Sequence, residues 1–362
     1  MGALTLSKKE PNPARERFYD IYGLMKIQAN LDLMVPTVFE SSEIEKIDLQ
    51  VCFKNFDSNQ RSWREVVSNF YVSSQGVLYK EPALALPTVV HLSHSNGVME
   101  INANSPSFRL NRRPGTRFLN FFLKLIFAGL ASKDHCLVHG GGVRIGKTMV
   151  LLLGTSNSGK STMTWMLVKD KPGAEYFGDD LLVCRQDGLI KPYPVVSRIH
   201  SKFLESIGRP PTRFYEMTDL TSGMPNEFAL ASLIRSLPFY PWARMFAEAY
   251  GPWHYENIIE PTHASLKTME AKPSLLLFIE KGVRSVQKLT RNETVRRLRV
   301  LQQLEFGVES DVLLNLSALI YGVPDMEKLH NVQESWISSV ASRGNAFIVN
   351  DISQAHKILD SL

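Results

Sequence analysis

The sequence predicts an α/β protein in which a smaller β-rich or mixed N-terminal domain precedes a larger nucleotide-binding domain. Two domains are expected because the chain has 362 residues, at roughly 150 residues per domain. Up to about residue 114, short apolar runs alternate with polar breaks, which is typical of strands. Beyond that point, helix and strand patterns alternate and the apolar strands are continuous, as expected for a sheet that is covered on both faces.

The composition excludes several classes of protein. With 44% hydrophobic, 10% aromatic and 21% charged residues, the chain is typical of folded proteins and unlike disordered or fibrous ones. Lys and Arg number 41 against 36 Asp and Glu. The resulting net charge of +5 is too small to indicate a nucleic-acid partner.

Cysteine spacing and hydropathy indicate the cellular compartment in which the protein is expected to function. Cys52, Cys136 and Cys184 have neither a paired nor a metal-ligand spacing, which favours a reducing, cytoplasmic setting. Residues 1–17 lack the apolar core of an export signal. The most apolar segment, 118–130, has 13 residues. A membrane span needs about 20, so none is predicted.

In the N-terminal half, apolar runs bounded by Ser, Asn, Pro and Gly predict strands. They cover residues 23–27, 47–53, 70–72, 89–92 and 98–101. Residues 111–115, Asn-Arg-Arg-Pro-Gly, combine charge with a helix-stopping Pro and are the predicted seam. Residues 1–115 are therefore the predicted N-terminal domain, whose role stays open, and residues 116–362 are the nucleotide-binding domain.

After the seam, the predicted elements alternate between helices and strands. Helices are predicted over residues 118–130, 162–168, 229–250, 294–304 and 352–362. Strands are predicted near Leu137 and over residues 149–153, 181–183, 275–279 and 346–350.

A candidate phosphate-binding loop follows the predicted strand 149–153. It reads Gly154-Thr155-Ser156-Asn157-Ser158-Gly159-Lys160-Ser161, the full Gly-x4-Gly-Lys-Ser pattern, with Thr162 next. Its glycines let backbone N–H groups wrap a phosphate at the positive end of the helix dipole. Lys160, expected to be exposed to the ligand, would contact the outer phosphates of ATP, and Ser161 would join a magnesium shell. The alternative is a Gly- and Ser-rich turn that matches by chance.

An acidic pair lies 19 residues beyond the lysine. Asp179 and Asp180 follow Gly178 and precede the predicted strand 181–183. One carboxylate, for which Asp180 is the candidate together with Ser161, can hold magnesium. The other can accept a proton from an attacking hydroxyl. An Asp-rich turn between strands is the alternative.

A histidine is the remaining candidate. His139 precedes three glycines, 140–142, which suggests backbone that another group approaches closely. We expect its imidazole to lie at a strand end and to face the same region as the acidic pair. His135 is interpreted as a structural residue, because most isolated histidines are.

Together these segments resemble a known catalytic domain. His139-Gly140, a hairpin-like interval over 143–147, an apolar strand, the loop, a helix and Gly178-Asp179-Asp180 resemble the HPr kinase/phosphorylase catalytic domain in order and separation. The match covers about residues 136–184. The wider similarity, which includes Tyr22-Gly23-Leu24 and the strand 275–279, is to HPr-kinase-related proteins. Phosphoenolpyruvate carboxykinase is a more remote relative by fold.

The resemblance implies a P-loop kinase domain of the HPr-kinase/PEP-carboxykinase-like type, with ATP and magnesium. It implies that Asp179 or Asp180 is the base toward a serine hydroxyl, that its neighbour binds magnesium, and that His139 assists near the transferred phosphate. Two departures put HPr in doubt as the target. Thr162 stands where HPr kinases carry a Glu, and their Arg-containing segment near the C-terminus is not recognisable here. Further positive charge could come from Arg198, Lys202 and Arg209.

The leading hypothesis is therefore a magnesium- and ATP-dependent kinase of a hydroxyl, in first place a serine, of a protein, peptide or small molecule. The alternative is a nucleotide-driven switch or binding module without a phosphorylated acceptor. Carboxykinase-like chemistry on an oxoacid would need further metal ligands and a substrate-clamping arginine, for which the sequence has no convincing set. The identity of the acceptor and the formation of a homo-oligomer stay open.

Overall fold

A computed structural model describes residues 16–30, 35–42, 44–53, 62–80, 89–104, 116–155, 158–193, 197–200, 253–256, 268–305 and 308–361. The protein is a mixed α/β protein whose chain divides into two compact units, Met1–Pro194 with Thr262–Leu362, and Val195–Pro261. In the second unit the structure describes one antiparallel strand pair, Ser197–His200 (β16) with Trp253–Glu256 (β17).

The first part of the chain forms a mixed sheet, with nine strands among the described residues. They are β1 (Arg17–Ile21), β2 (Met25–Ala29), β3 (Glu40–Ser41), β4 (Leu49–Phe53), β5 (Arg64–Val67), β6 (Phe70–Ser73), β7 (Gly76–Lys80), β8 (Val89–Ser95) and β9 (Val98–Asn104). Their spatial order is β3-β1-β2-β4-β9-β8-β7-β6-β5, in which β2, β4 and β9 run parallel. The five strands predicted in this half are confirmed, whereas β1, β3, β5 and β7 were not predicted.

Strands β1 and β2 of the nine-stranded sheet bury alternate residues. In β2, Met25, Ile27 and Ala29 are buried, whereas Lys26 and Gln28 between them are half-buried. Successive side chains of a strand point to opposite faces, so a strand with one face in the core needs an apolar residue only at every second position. The alternation in β1 and β2 follows from that requirement, whereas β7 is buried at its first four positions.

A second mixed sheet carries the candidate phosphate loop. Its strands are β11 (Gly141–Ile145), β12 (Thr148–Leu153), β13 (Ala174–Gly178), β18 (Leu275–Ile279), β19 (Gln287–Lys288) and β20 (Asn345–Val349). The spatial order is β13-β11-β12-β18-β20-β19, and β12, β18 and β20 are parallel neighbours. All of β18 and all but the first residue of β12 are buried, which confirms the continuous apolar strands predicted there.

A smaller antiparallel sheet lies beside these two. It has the order β10 (His135–His139), β14 (Leu181–Arg185), β15 (Ile190–Tyr193). Cys136 and Cys184 lie opposite each other on β10 and β14, and both are buried thiols without a disulfide. Burial and the neighbouring Cys136 thiol raise the pKa of Cys184. Distance along the sequence therefore did not reveal that these two cysteines are neighbours.

The described helices are α1 (Thr116–Ala131), α2 (Lys160–Asp170), α3 (Arg291–Glu305), α4 (Val308–Tyr321), α5 (Met326–Arg343) and α6 (Ile352–Asp360). The helices predicted at 118–130, 162–168, 294–304 and 352–362 are confirmed, while the one predicted at 229–250 lies outside the described residues. Helices α4 and α5 were not predicted, although α5 buries Leu329, Val332, Trp336 and Val340 at helical spacing. In the described part of the chain, no helix is long and apolar enough to cross a membrane.

Helix α1 packs against the nine-stranded sheet. Its Phe121 ring meets the edge of Tyr79 on β7 at a centroid distance of 5.0 Å. A Cβ added to Gly129 would lie 2.8 Å from the Met25 sulfur, which shows how closely the helix approaches β2. Residues before and after 115 belong to the same compact unit. The domain boundary predicted at residue 115 stays a prediction.

The six-stranded sheet positions the candidate site. Strands β12, β13, β18 and β20 all end at one edge of this sheet, here called the carboxyl edge, and β11 begins there. The loop from residue 154, the acidic pair after β13 and the histidine before β11 therefore meet at the carboxyl edge. Ligand sites of parallel sheets lie at this kind of edge.

Candidate functional site

The loop at the carboxyl edge has the strand and helix flanks that the sequence predicted. Strand β12 ends at Leu153 and α2 begins at Lys160; Ser156 and Asn157 between them lie outside the described residues. Gly159 caps the helix with a φ of 106°, in the left-handed region that favours glycine. The backbone thus turns sharply into α2, whose first N–H groups have no partner within the helix.

Gly154 lies where the loop packs closely against Ser158 and the end of β18. A Cβ at this position would lie 2.6 Å from Ser158 Oγ and 3.0 Å from the Ile279 carbonyl oxygen. A larger residue here would require the Ser158 hydroxyl and the end of β18 to shift, so glycine is favoured. The Ser158 hydroxyl is buried and has no hydrogen-bond partner among the described residues, so it can serve an added ligand.

Lys160 corrects one expectation, because its side chain is buried rather than exposed. The residue is 5% exposed, and its Nζ donates hydrogen bonds to the Gly154 carbonyl at 2.7 Å and the Thr155 carbonyl at 3.1 Å. The loop curls so that these carbonyls converge on the ammonium group. A buried charge needs such partners, and their exchange for phosphate oxygens would rearrange the loop.

His139 and Asp180 form the pair that the sequence placed in one region. The imidazole Nε2 lies 2.7 Å from Asp180 Oδ1. The Gly140 N–H donates to the Asp180 carbonyl at 3.0 Å, which extends the ladder between β10 and β14 to the acidic pair. Asp180 has a φ of 84°, a strained conformation for a residue with a Cβ. Strain of this kind clusters at functional sites and here directs the carboxylate to the histidine.

The charges around Asp180 keep its carboxyl group ionised. Burial in this corner acts to raise its pKa, but the hydrogen bond with His139 and the positive charges of His139 and Lys160 outweigh it and lower the pKa. The side chain is nonetheless 57% exposed at the surface. Asp180 is therefore an accessible carboxylate at neutral pH.

Asp179 has a different environment from its neighbour. It is 4% exposed and lies behind β11, where a Cβ added to Gly141 would be 3.6 Å from Asp179 Oδ1 and 2.6 Å from Thr164 Oγ1. Thr164, on the second turn of α2, is 1% exposed, and its hydroxyl has no hydrogen-bond partner among the described residues. Sequence analysis missed Thr164; a polar residue one turn after the lysine, on the same helical face, was the signal available.

No model of a protein family matches the chain, and a search of curated proteins gave no match either. The resemblance to HPr kinase/phosphorylase thus stays a prediction that rests on residues 136–184.

The remaining residues that the sequence singled out lie away from the His139–Asp180 pair or at the margin of the carboxyl edge. Ser161 and Thr162 are half-buried on the first turn of α2. His135 lies at the far end of β10, where its Nδ1 is 2.5 Å from the Lys133 carbonyl oxygen, as expected for a structural residue. The side chains of Arg198, Lys202 and Arg209 lie outside the described residues, so their predicted charge contribution stays a prediction.

The residues at the carboxyl edge fit nucleotide phosphate and magnesium in their donor chemistry. The helix N-terminus, Lys160 and the buried Ser158 hydroxyl can donate to phosphate oxygens. Among the described residues, no cluster of three or more His, Cys, Asp or Glu could hold a metal by itself. Magnesium normally takes one or two protein ligands plus phosphate oxygens, so Ser161 with one carboxylate remains an appropriate set.

Proposed function

We propose that the protein is an ATP-dependent kinase, with magnesium, that phosphorylates a hydroxyl group, in first place a serine, of a protein, peptide or small molecule. The observation that carries the proposal is the His139–Asp180 pair, 2.7 Å apart, at the sheet edge where the Gly154–Lys160 loop begins α2. A loop alone would suit any nucleotide-binding protein. A strained, accessible carboxylate paired with histidine beside the loop is what hydroxyl activation needs.

In this proposal the loop holds the phosphates of ATP. Backbone N–H groups at the start of α2 and the Ser158 hydroxyl donate to phosphate oxygens, and Lys160 exchanges its two carbonyl partners for the outer phosphates. Bound magnesium would supply charge neutralisation between the phosphates, with Ser161 and one aspartate as its protein ligands. The finer fold proposal is the HPr-kinase/PEP-carboxykinase-like type, and the proposed setting is cytoplasmic.

The two aspartates divide the remaining work by their exposure. Asp180 accepts the proton of the acceptor hydroxyl, and His139 stabilises its carboxylate through the hydrogen bond at Nε2. The acceptor oxygen then bonds to the γ-phosphorus, the bond from this phosphorus to the bridging oxygen breaks, and ADP leaves with that oxygen. Asp179, buried beside α2, is the better placed of the two to support magnesium, which reverses the assignment of Asp180 as metal ligand.

The experiment is transfer of labelled γ-phosphate from ATP to added hydroxyl acceptors, such as serine peptides and small alcohols. We expect acceptor-dependent labelling by the parent protein and none by Lys160→Ala, whose affinity for ATP with magnesium should fall on the order of 10²-fold. Lys169→Ala, at the exposed end of the same helix, is the matched control. ATP binding without any labelled acceptor would contradict the kinase proposal and favour the nucleotide-driven switch. The loop rearrangement that phosphate binding requires at Lys160 is the observation that supports such a switch.

A further inference from the structure

The excess positive charge of the protein lies in one short segment. Residues 281–299 contain seven Lys or Arg and one acidic residue, Glu293, for a net charge of +6. The whole chain has a net charge of +5, so the remaining residues together carry 5 − 6 = −1. The small overall charge therefore conceals a concentrated basic region.

Part of this charge is already paired. Arg297 forms an ion pair with Glu280, and Arg299 makes a bidentate pair with Glu334. Of the five other cations, Arg296 interacts electrostatically with Glu293. The remaining four are exposed and have no ion pair with any described residue. They are Lys281, Arg284, Lys288 and Arg291, here called the basic edge.

The basic edge starts beside the phosphate loop. Lys281 follows β18 by two residues, and the Ile279 carbonyl oxygen at the end of β18 would be 3.0 Å from a Cβ on Gly154. The Gly282 N–H is held by the Asn350 side chain at 2.8 Å, which anchors the turn at the carboxyl edge. The chain then forms β19, which pairs antiparallel with β20 and places Lys288 opposite Phe347. Lys281 and Lys288 thus lie along the border of the six-stranded sheet, Arg284 lies between them in the chain, and Arg291 begins α3.

We propose that the basic edge binds an acidic peptide segment of the phosphate acceptor, which deepens the proposed kinase function and rests on it. Charge complementarity specifies carboxylate-rich sequence. Strand β19 pairs on one side with β20 and, among the described residues, exposes its other side, which offers backbone groups to an extended peptide. Residues 280–300 contain no aromatic side chain. The ring of Phe347, opposite Lys288, is half-buried and has the Lys288 ammonium group 6.0 Å from its centroid, so a single-stranded nucleic acid finds no open stacking surface here and is the poorer fit.

The test measures binding of a fluorescent synthetic peptide in which glutamates flank a central serine, with the full-length protein and ATP plus magnesium. The edge variant Lys281→Glu, Arg284→Glu, Lys288→Glu should bind this peptide about tenfold or more weakly, with unchanged affinity for ATP. The control variant Lys46→Glu, Lys133→Glu, Lys147→Glu carries the same charge change at exposed positions and should bind as the parent does. The parent should prefer this peptide to its glutamine counterpart, and added salt should weaken binding.

Several results would overturn the proposal. These are no binding by the parent, equal loss in both triple variants, a parallel loss of ATP affinity, or binding of a single-stranded oligonucleotide of equal charge as tightly as the peptide. Labelled-phosphate transfer separates this proposal from the kinase function. Peptide binding without transfer to any acceptor would contradict the kinase proposal and support the docking surface alone. Transfer with an unchanged KM for the peptide in the edge variant would contradict the docking surface and support the kinase proposal alone.

Discussion

Strand β18 of the six-stranded sheet and strand β2 of the nine-stranded sheet bury their residues differently. Leu275, Leu277 and their neighbours make β18 buried at all five positions, whereas β2 buries Met25, Ile27 and Ala29 and leaves the residues between them partly exposed. A continuous apolar strand needs cover on both faces, and an alternating one needs cover on a single face. The two patterns in the sequence correspond to these two kinds of strand, and β7, buried at its first four positions, shows that the nine-stranded sheet contains both.

The difference also separates the candidate chemistry from its support. In the six-stranded sheet, strand ends bring the loop, the acidic pair and the histidine to one edge. The described residues of the nine-stranded sheet supply none of the groups proposed for phosphoryl transfer. Substitutions at the carboxyl edge should therefore change transfer far more than stability, and substitutions in the nine-stranded sheet should do the reverse.

The largest expected effect is at Asp180. Asp180→Asn should lower phosphoryl transfer on the order of 10³-fold, because a proton acceptor is needed in the transition state, while ATP affinity stays within about tenfold. Asp179→Asn should lose transfer too, with partial recovery at high magnesium or with manganese. Initial rates of labelled-phosphate transfer and calorimetry with ATP measure the two quantities.

The metal dependence assigns the two roles. Recovery of Asp180→Asn by manganese would make Asp180 the magnesium ligand, as the sequence predicted, and would refute the assignment proposed here. If both variants transferred phosphate at the parental rate, Asp179 and Asp180 would have no role in transfer and would only form a turn between two strands.

His139→Gln should have the next largest effect, visible in the pH profile. Its hydrogen bond and positive charge lower the Asp180 pKa, so their loss raises that pKa. Because the ionised form is the base, the acid limb of the transfer profile should move to higher pH, so transfer should fall most at acidic pH. His135→Gln, at the other end of β10, is the control and should leave the limb in place; a shift common to both variants would count against the pairing.

Thr164→Val should have a smaller effect, opposite in sign for activity and stability. Removing a buried hydroxyl without a described partner should raise the free energy of unfolding by up to about 1 kcal/mol. Transfer should fall about threefold to tenfold, because Thr164 Oγ1 and Asp179 Oδ1 border the same space beside Gly141, and the valine removes a polar group next to the proposed magnesium ligand. Thr164→Ser should keep the parental rate. Denaturant unfolding and transfer kinetics measure both, and full activity of the valine variant would make Thr164 a packing residue only.

Tyr22→Phe, in the turn between strands β1 and β2 of the nine-stranded sheet, should leave transfer within about twofold of the parental rate while lowering stability by about 1 kcal/mol. The Tyr22 hydroxyl donates to the Pro192 carbonyl at 2.5 Å, and burial raises its pKa. Tyr22 itself is at a φ of 57°, in the turn between β1 and β2. Denaturation midpoints give the stability change. A parallel loss of transfer would mean that the nine-stranded sheet acts on the site through β15, and the contrast between the sheets would fail.

Much of the fold was readable from local patterns. Hydrophobic periodicity and the Gly and Pro breaks predicted these elements, because those signals act within a few residues. They are the five N-terminal strands, β12, β18 and the helices α1, α2, α3 and α6. The loop could be predicted for the same reason, since its glycines, lysine and flanks are contiguous. Strands such as β5, whose four residues Arg64–Val67 are all exposed, carry no such signal.

Other features were decided by tertiary structure alone. The contact of His139 with Asp180 joins residues 41 apart in the chain, and it exists because β10 pairs with β14 in one register and Asp180 adopts a positive φ. Lys160 is buried because the loop carbonyls converge on it, and Asp179 and Asp180 differ in exposure although they are adjacent. The sequence by itself determined which groups could do the chemistry. Their distances, burial and charge depend on pairing between distant segments, where the free energy of packing rather than local preference selects the arrangement.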